Sequence, residues 1–251
     1  MTRTVTDVGA IPEMRHDEAM ALAETEAGRL LDVVDQLVDP DWAKQTDCEG
    51  WDVKALLSHV LGAMEANSRT REFVRQYRVA ARASKRSGSP MVNEMTALQV
   101  REHADMAPRD IARRLQEIAP RAIRGRRRMP RLVRAVPFKP GPPFEGSWKI
   151  GYLVGTIMNR DYWMHRVDLT RATGKELVVT AEHDGRLVAD VVAEWARSHR
   201  QPVTLTLDGP AGGTFRQGQQ GEEIRFDAVE FCRALSGRAA YSGLLTQEVA
   251  F

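Results

Sequence analysis

Residues 160–174 read RDYWMHRVDLTRATG, with Asp161 four residues before His165 and Asp168 three residues after it. On a helix, Asp161 and His165 form an i, i+4 pair whose side chains can converge on one point. A carboxylate oxygen and an imidazole nitrogen at that spacing suit a divalent transition metal such as zinc. Asp168, one turn further on, can orient an imidazole through its second ring nitrogen. These residues also continue an apolar stripe. Positions 150, 154, 157, 161, 165, 168 and 172 keep to one helix face, and the first three are Ile150, Val154 and Ile157. A carboxylate turned toward a core costs on the order of several kcal/mol unless a cation, a metal or several donors meet it.

Two helical ligands do not complete a site, because a catalytic zinc usually keeps three protein ligands and one open position. Of the six histidines, His16, His59, His103, His165, His183 and His199, the second stands out. His59 shares a helix face with Ala55, Gly62 and Ala66, and small residues there leave room for a neighbouring helix or a cavity. Structural readings stand beside these. An i, i+4 Asp/His pair also occurs as an ordinary surface pair, Asp168 can pair with Arg166 or Arg171, and His59 can be a satisfied core histidine.

The elements that must carry these residues are mostly helical. Residues 16–38 are amphipathic, with Leu22, Leu30, Val34 and Leu37 among the apolar positions. Asp52 is placed to cap a helix running from there to about residue 76, with a stripe of Val53, Leu56, Leu57, Val60, Leu61 and Met64. SKRSGSP breaks the pattern, and helical periodicity returns over 93–103 and 108–127. Prolines at 130, 137, 140, 142 and 143 exclude a long helix through the next segment. The fourth long helix runs from about 149 to 172 and stops at Gly174. Beyond it lie one more helix, an alternating strand at PVTLTLDG, two short strands at GGTFRQG and EEIRFDA, and a closing helix capped by Asp227. The expectation is a helical domain over 1–175 and a small α+β domain over 176–251.

Composition limits the function classes. The 251 residues carry 36 Lys+Arg against 34 Asp+Glu, so no global charge favours nucleic acid. The local run of Arg121, Arg124, Arg126, Arg127, Arg128, Arg131 and Arg134 lacks interleaved aromatics and reads first as a solvated face, with one or two members able to meet a carboxylated substrate. No stretch approaches the roughly 20 apolar residues of a membrane span, and the N-terminal residues lack an apolar signal core; a soluble cytoplasmic protein is expected. Cys48 and Cys232 form no CxxC and suit neither a zinc ribbon nor a disulfide framework. Cys48 has no base indicated beside it, and both read as small packing residues. Trp51 and Trp163 are either pocket walls or core.

Three segments carry a family resemblance. TDCEGWDVKALLSHVLG, RDYWMHRVDLTRATG and FDAVEFCRALSGRAAYSGLLTQEVAF, in that order, resemble the motifs of mycothiol-dependent maleylpyruvate isomerase-like proteins, part of the wider DinB-like group. The resemblance implies a mainly α chain: a DinB-like four-helix bundle followed by a small α+β C-terminal domain. It implies a divalent metal, usually zinc, held by His59, Asp161 and His165. The family's characterised isomerase has glutamate where this chain has Asp161, which is one methylene shorter, so the helix must lie closer to the metal or water must bridge. An arginine of the C-terminal domain is expected to contribute to catalysis, and both Arg233 and Arg238 fit that description. The activity implied is metal-dependent use of mycothiol on a small electrophile, by thiol addition or transfer or by thiol-assisted cis–trans isomerisation, in a monomer or homodimer. A non-enzymatic metal-binding or regulatory module, a nucleic-acid binder using the arginine run and a metal-assisted hydrolase are the alternatives.

Overall fold

The computed structural model describes residues 4–141, 144 and 146–251. In chain order the elements are β1 (Val5–Asp7), α1 (His16–Val34), α2 (Val53–Ser68), α3 (Thr70–Ser87), α4 (Met91–Glu102), α5 (Pro108–Arg127), α6 (Arg131–Arg134), β2 (Pro137–Phe138), β3 (Trp148–Lys149), α7 (Ile150–Tyr152), a π turn at Leu153–Ile157, α8 (Met158–Thr173), α9 (Asp184–His199), β4 (Val203–Asp208), β5 (Gly213–Gln217), β6 (Glu222–Asp227) and α10 (Ala228–Leu235). Contacts divide them into two units, His16–Leu177 and Met1–Arg15 with Val178–Phe251.

The helical unit is a four-helix bundle in which α1 contacts α5 and α8, and α2 contacts the same two helices. Helices α3 and α4 pack on α2 and on each other. Every residue of the stripe Val53, Leu56, Leu57, Val60, Leu61 and Met64 is buried, as are Leu30 of α1, Ile111 and Leu115 of α5, and Trp163 and Val167 of α8. Asp52 caps α2 by accepting from the Ala55 amide at 2.7 Å. At Gly125 a methyl group would stand 2.1 Å from the Asn67 carbonyl, so α5 reaches the end of α2 only because that side chain is absent.

Two helices that read as continuous in sequence are interrupted. The segment expected to run from Asp52 to about residue 76 breaks at Arg69, whose φ of −147° is extended, and resumes as α3. The last helix of the bundle contains the π turn at Leu153–Ile157 before α8 begins. Arg126 holds that turn. Its Nε donates to the Val154 carbonyl at 2.7 Å and its Nη2 to Asn159 Oδ1 at 2.7 Å, while Asn159 Nδ2 donates to the Ala19 carbonyl at 2.8 Å. Burial pushes the Arg126 guanidinium down to about 10, against the opposing pull of Tyr162 and Asp161. This arginine is therefore structural, and the expected solvated face excludes it; Arg121, Arg124, Arg127, Arg128 and Arg131 are exposed. Gly174, with φ 71°, ends α8 as expected. Pro142 and Pro143 lie outside the described residues.

The second unit is a four-stranded sheet in the order β1-β5-β4-β6, with α9 against β5 and α10 against β4 and β6. β4 alternates buried Val203, Leu205 and Leu207 with half-buried partners, the pattern of a strand with one covered face. It runs antiparallel to β5 and parallel to β6, and β1 runs parallel to β5 with Val5 opposite Thr214. The division expected at 175 therefore differs at the other end of the chain, because the N-terminal strand pairs with the sheet and not with the bundle. Asp227 caps α10 through the Val229 and Glu230 amides. Among the described residues, no helix is long and apolar enough to cross a membrane.

Candidate metal centre

His59 on α2 and Asp161 and His165 on α8 meet inside the bundle. One ligand atom from each lies within 4.8 Å of the other two. His165 Nε2 is 3.2 Å from Asp161 Oδ1, and His59 Nε2 is 3.7 Å from Asp161 Oδ2. The shorter aspartate thus reaches both imidazoles, one with each oxygen. The two rings stand edge to face with centroids 5.1 Å apart.

Each imidazole has its other nitrogen engaged. His165 Nδ1 is 3.2 Å from Asp168 Oδ2, and His59 Nδ1 is 2.8 Å from Gln99 Oε1 of α4. Both partners are acceptors, which puts a proton on each Nδ1 and turns each Nε2 toward Asp161. Arg166 donates to Glu26 at 2.7 Å and Arg171 to Asp47 at 2.9 Å. Gln99 was not legible as a site residue. Its only signal is an amide within the apolar run ALQV, where it is buried.

The turn CEGW covers one side. Gly50, at φ 76°, reverses the chain so that the Trp51 amide donates to the Cys48 carbonyl at 3.0 Å. This sets Trp51 with its ring centroid 5.2 Å from that of His59 and 6.3 Å from that of His165, while Trp163 is core. Cys48 lies closer to the chemistry than its sequence context suggests. Its Sγ is 3.3 Å from Asp168 Oδ2 and 3.9 Å from His165 Nδ1, so carboxylate and imidazole do stand beside this half-buried thiol. Cys232 is fully buried, as a packing residue should be.

Burial would raise the Asp161 carboxyl, but the charge and hydrogen bonding of His165, together with His59, outweigh it and hold the group well below the carboxylate range. Burial likewise works against protonated His165, yet Asp161, Asp168 and Cys48 raise its pKa well above the ordinary imidazole value. A divalent cation would satisfy the same negative field as that proton. Bond lengths of about 2.0–2.2 Å in a tetrahedron put neighbouring ligand atoms roughly 3.3 Å apart, and His165 Nε2 and Asp161 Oδ1 already stand 3.2 Å apart. Asp161 is the most open of the three, with a quarter of its side chain exposed against 7% and 6% for the histidines.

Arg233 and Arg238 belong to the second unit. Arg233, on α10, is buried and pairs with Glu230, and the Arg238 amide donates to the Arg233 carbonyl in the turn that follows.

Comparison with known proteins bears on the fold and the family. Crystal structures of the mycothiol-dependent maleylpyruvate isomerase and of a histidine-to-alanine mutant of it share the fold, each with a TM-score of 0.59 over 94% of this chain and 93% of theirs at 16% identity. No curated protein matches in sequence. The model of the mycothiol maleylpyruvate isomerase N-terminal domain matches residues 23–170, which takes in α2, the π turn and nearly all of α8, and the chain belongs to that family.

Proposed function

We propose that the protein is a cytoplasmic, metal-dependent enzyme that uses mycothiol on a small electrophile, by cis–trans isomerisation of the maleylpyruvate type or by thiol transfer. The observation that carries this reading is the convergence of His59 Nε2, Asp161 and His165 Nε2 with both outer imidazole nitrogens already engaged. His59, Asp161 and His165 would hold a divalent metal, of which zinc suits two imidazoles and one carboxylate. When bound, such an ion acts as a Lewis acid that raises the thiolate fraction of a thiol near neutral pH.

The chain's own residues supply the setting. Asp168 accepts from His165 Nδ1 and fixes that ring, and Trp51 screens the two imidazoles from water. The open quarter of Asp161 marks the side on which ligands arrive. Arg233 and Arg238 are our candidates for the catalytic arginine of the C-terminal domain, as the family resemblance implies. An external thiol suits the chain's own cysteines, since Cys232 is enclosed and the Cys48 S–H donates to Asp168.

The test is turnover of maleylpyruvate, and of a haloalkyl probe, by zinc-loaded protein with and without mycothiol. Product only when thiol is present supports the proposal. Equal turnover without thiol assigns the site to hydrolysis, and no turnover of either probe by zinc-loaded protein counts for a binding module.

A further inference from the structure

If His59 binds a metal through Nε2, its remaining proton must sit on Nδ1, and a chain of side chains behind it decides that. Gln99 Oε1 is 2.8 Å from His59 Nδ1, and Gln99 Nε2 donates to Gln76 Oε1 at 2.9 Å. Gln76 Nε2 then donates to the Gly62 carbonyl and to Glu72 Oε1, each at 3.0 Å. Both glutamines are buried. The last two partners are a backbone carbonyl and a carboxylate, which can only accept. Glu72 is kept ionised by Arg75, which also grips Glu102 at 2.6 Å.

Direction propagates inward from those acceptors. The Gln76 amide must turn its NH2 toward Gly62 and Glu72, so its oxygen faces Gln99. Gln99 must then turn its NH2 toward Gln76, so its oxygen faces His59. Reversing either amide sets oxygen against oxygen in a buried place. Two further features hold Gln99 at this post. Gly62 lets α4 approach, because a methyl there would stand 2.7 Å from both Cβ and Cγ of Gln99, and the Gln99 carbonyl meets His103 Nδ1 at 2.7 Å.

We propose that Gln76 and Gln99 are positioning residues that fix His59 as the Nδ1–H tautomer, with the Glu72–Arg75 pair setting the direction of the relay. The proposal deepens the metal-site reading and rests on it for its purpose, but the tautomer itself can be observed without metal. His165 needs no relay, because Asp168 is a carboxylate and can only accept from it.

The experiment is long-range 1H–15N correlation of the imidazoles in 15N-labelled full-length protein, freed of metal with a chelator and held at alkaline pH, with His59 assigned by the signals lost in His59→Gln. The wild type is expected to show Nδ1 protonated on His59. Gln99→Leu and Gln76→Leu should shift it toward the Nε2–H form or a mixture. Gln99→Glu, which still accepts from Nδ1 but sets a carboxylate oxygen against Gln76 Oε1, should keep the tautomer at a cost in stability. In parallel, zinc affinity by chelator competition should fall about 10–100-fold in Gln99→Leu and stay within a few-fold of wild type in Gln99→Glu. A wild-type His59 protonated at Nε2 overturns the proposal, and that measurement needs no variant to fold. So does an unchanged tautomer with unchanged zinc affinity in folded Gln99→Leu or Gln76→Leu. A wild type with the Nδ1–H form that binds no zinc supports the relay and overturns the metal reading instead.

Discussion

Asp168 Oδ2 stands 3.2 Å from His165 Nδ1, and that contact turns a buried carboxylate into a device for aiming an imidazole. Asp168 is fully buried, so its charge is tolerable only among donors, and His165 Nδ1 and Cys48 Sγ are two of them. The imidazole held in this way presents Nε2 to Asp161.

Metal content is the first expectation. Purified wild type should carry about one divalent ion per chain, and His59→Ala, Asp161→Ala and His165→Ala should each reduce it to a small fraction, because three protein ligands are the working minimum of such a site. Elemental analysis of folded variants decides the matter. Unchanged content in all three would falsify the assignment.

Cys48→Ser keeps a donor for Asp168 and should retain metal and most turnover when mycothiol is supplied. Cys48→Ala removes the donor and should weaken metal binding. Cys232→Ser places a hydroxyl at a fully buried position and is expected to cost about 1–3 kcal/mol in a denaturant melt while leaving turnover intact. Loss of all activity in well-folded Cys48→Ser would make that thiol a nucleophile and end the external-thiol mechanism.

Removing the Arg126 side chain should be felt at a distance from the ligands. Arg126→Met leaves the Val154 carbonyl and Asn159 Oδ1 without their charged donor, a loss of about 1.5–3 kcal/mol by thermal or chemical unfolding. Asp161 lies two residues beyond Asn159, so zinc affinity should drop with stability. A variant as stable as wild type, with wild-type affinity, would show that the π turn holds itself.

The pair Glu65–His103 gives a pH dependence away from the metal ligands. Burial disfavours charge on His103, but Glu65, at 3.3 Å, and the Gln99 carbonyl raise its pKa above 6.5. Burial would also raise Glu65, yet His103 and Arg114 bring it below 4.5. The stability from His103 is complete below the ordinary imidazole value and is lost as pH rises through the raised one. That from Glu65 is complete above the ordinary glutamate value and is lost as pH falls through the depressed one. His103→Leu should therefore flatten the alkaline fall of Tm in chelator-treated protein. Parallel Tm curves for the variant and wild type would dismiss the pairing.

What the sequence discloses follows the range over which each interaction acts. The stripe of α2, the caps at Asp52 and Asp227 and the stop at Gly174 depend on neighbours within one or two turns, and all were legible. Asp161, His165 and Asp168 were legible as a set for the same reason, with His59 brought in by its small-residue face and by the resemblance. The break at Arg69 was not, because the segment keeps helical periodicity across it and only an extended backbone at one residue interrupts it. The π turn depends on an arginine from another helix, and Gln99 and Gln76 gain meaning only once α3 and α4 stack on α2. Cys48 reaches Asp168 through a turn whose reversal rests on Gly50.

The pairing of Val5 with Thr214 also governs the order of assembly. A ribosome releases β1 before the helical unit and its partner β5 after it, so during synthesis β1 waits while the whole helical unit emerges and can close. The bundle's contacts are available as each helix appears, whereas the sheet's edge must wait for a loop spanning most of the chain to close. Maturation therefore ends at the sheet, and a nascent chain stalled before β5 would hold a finished bundle beside an unpaired first strand.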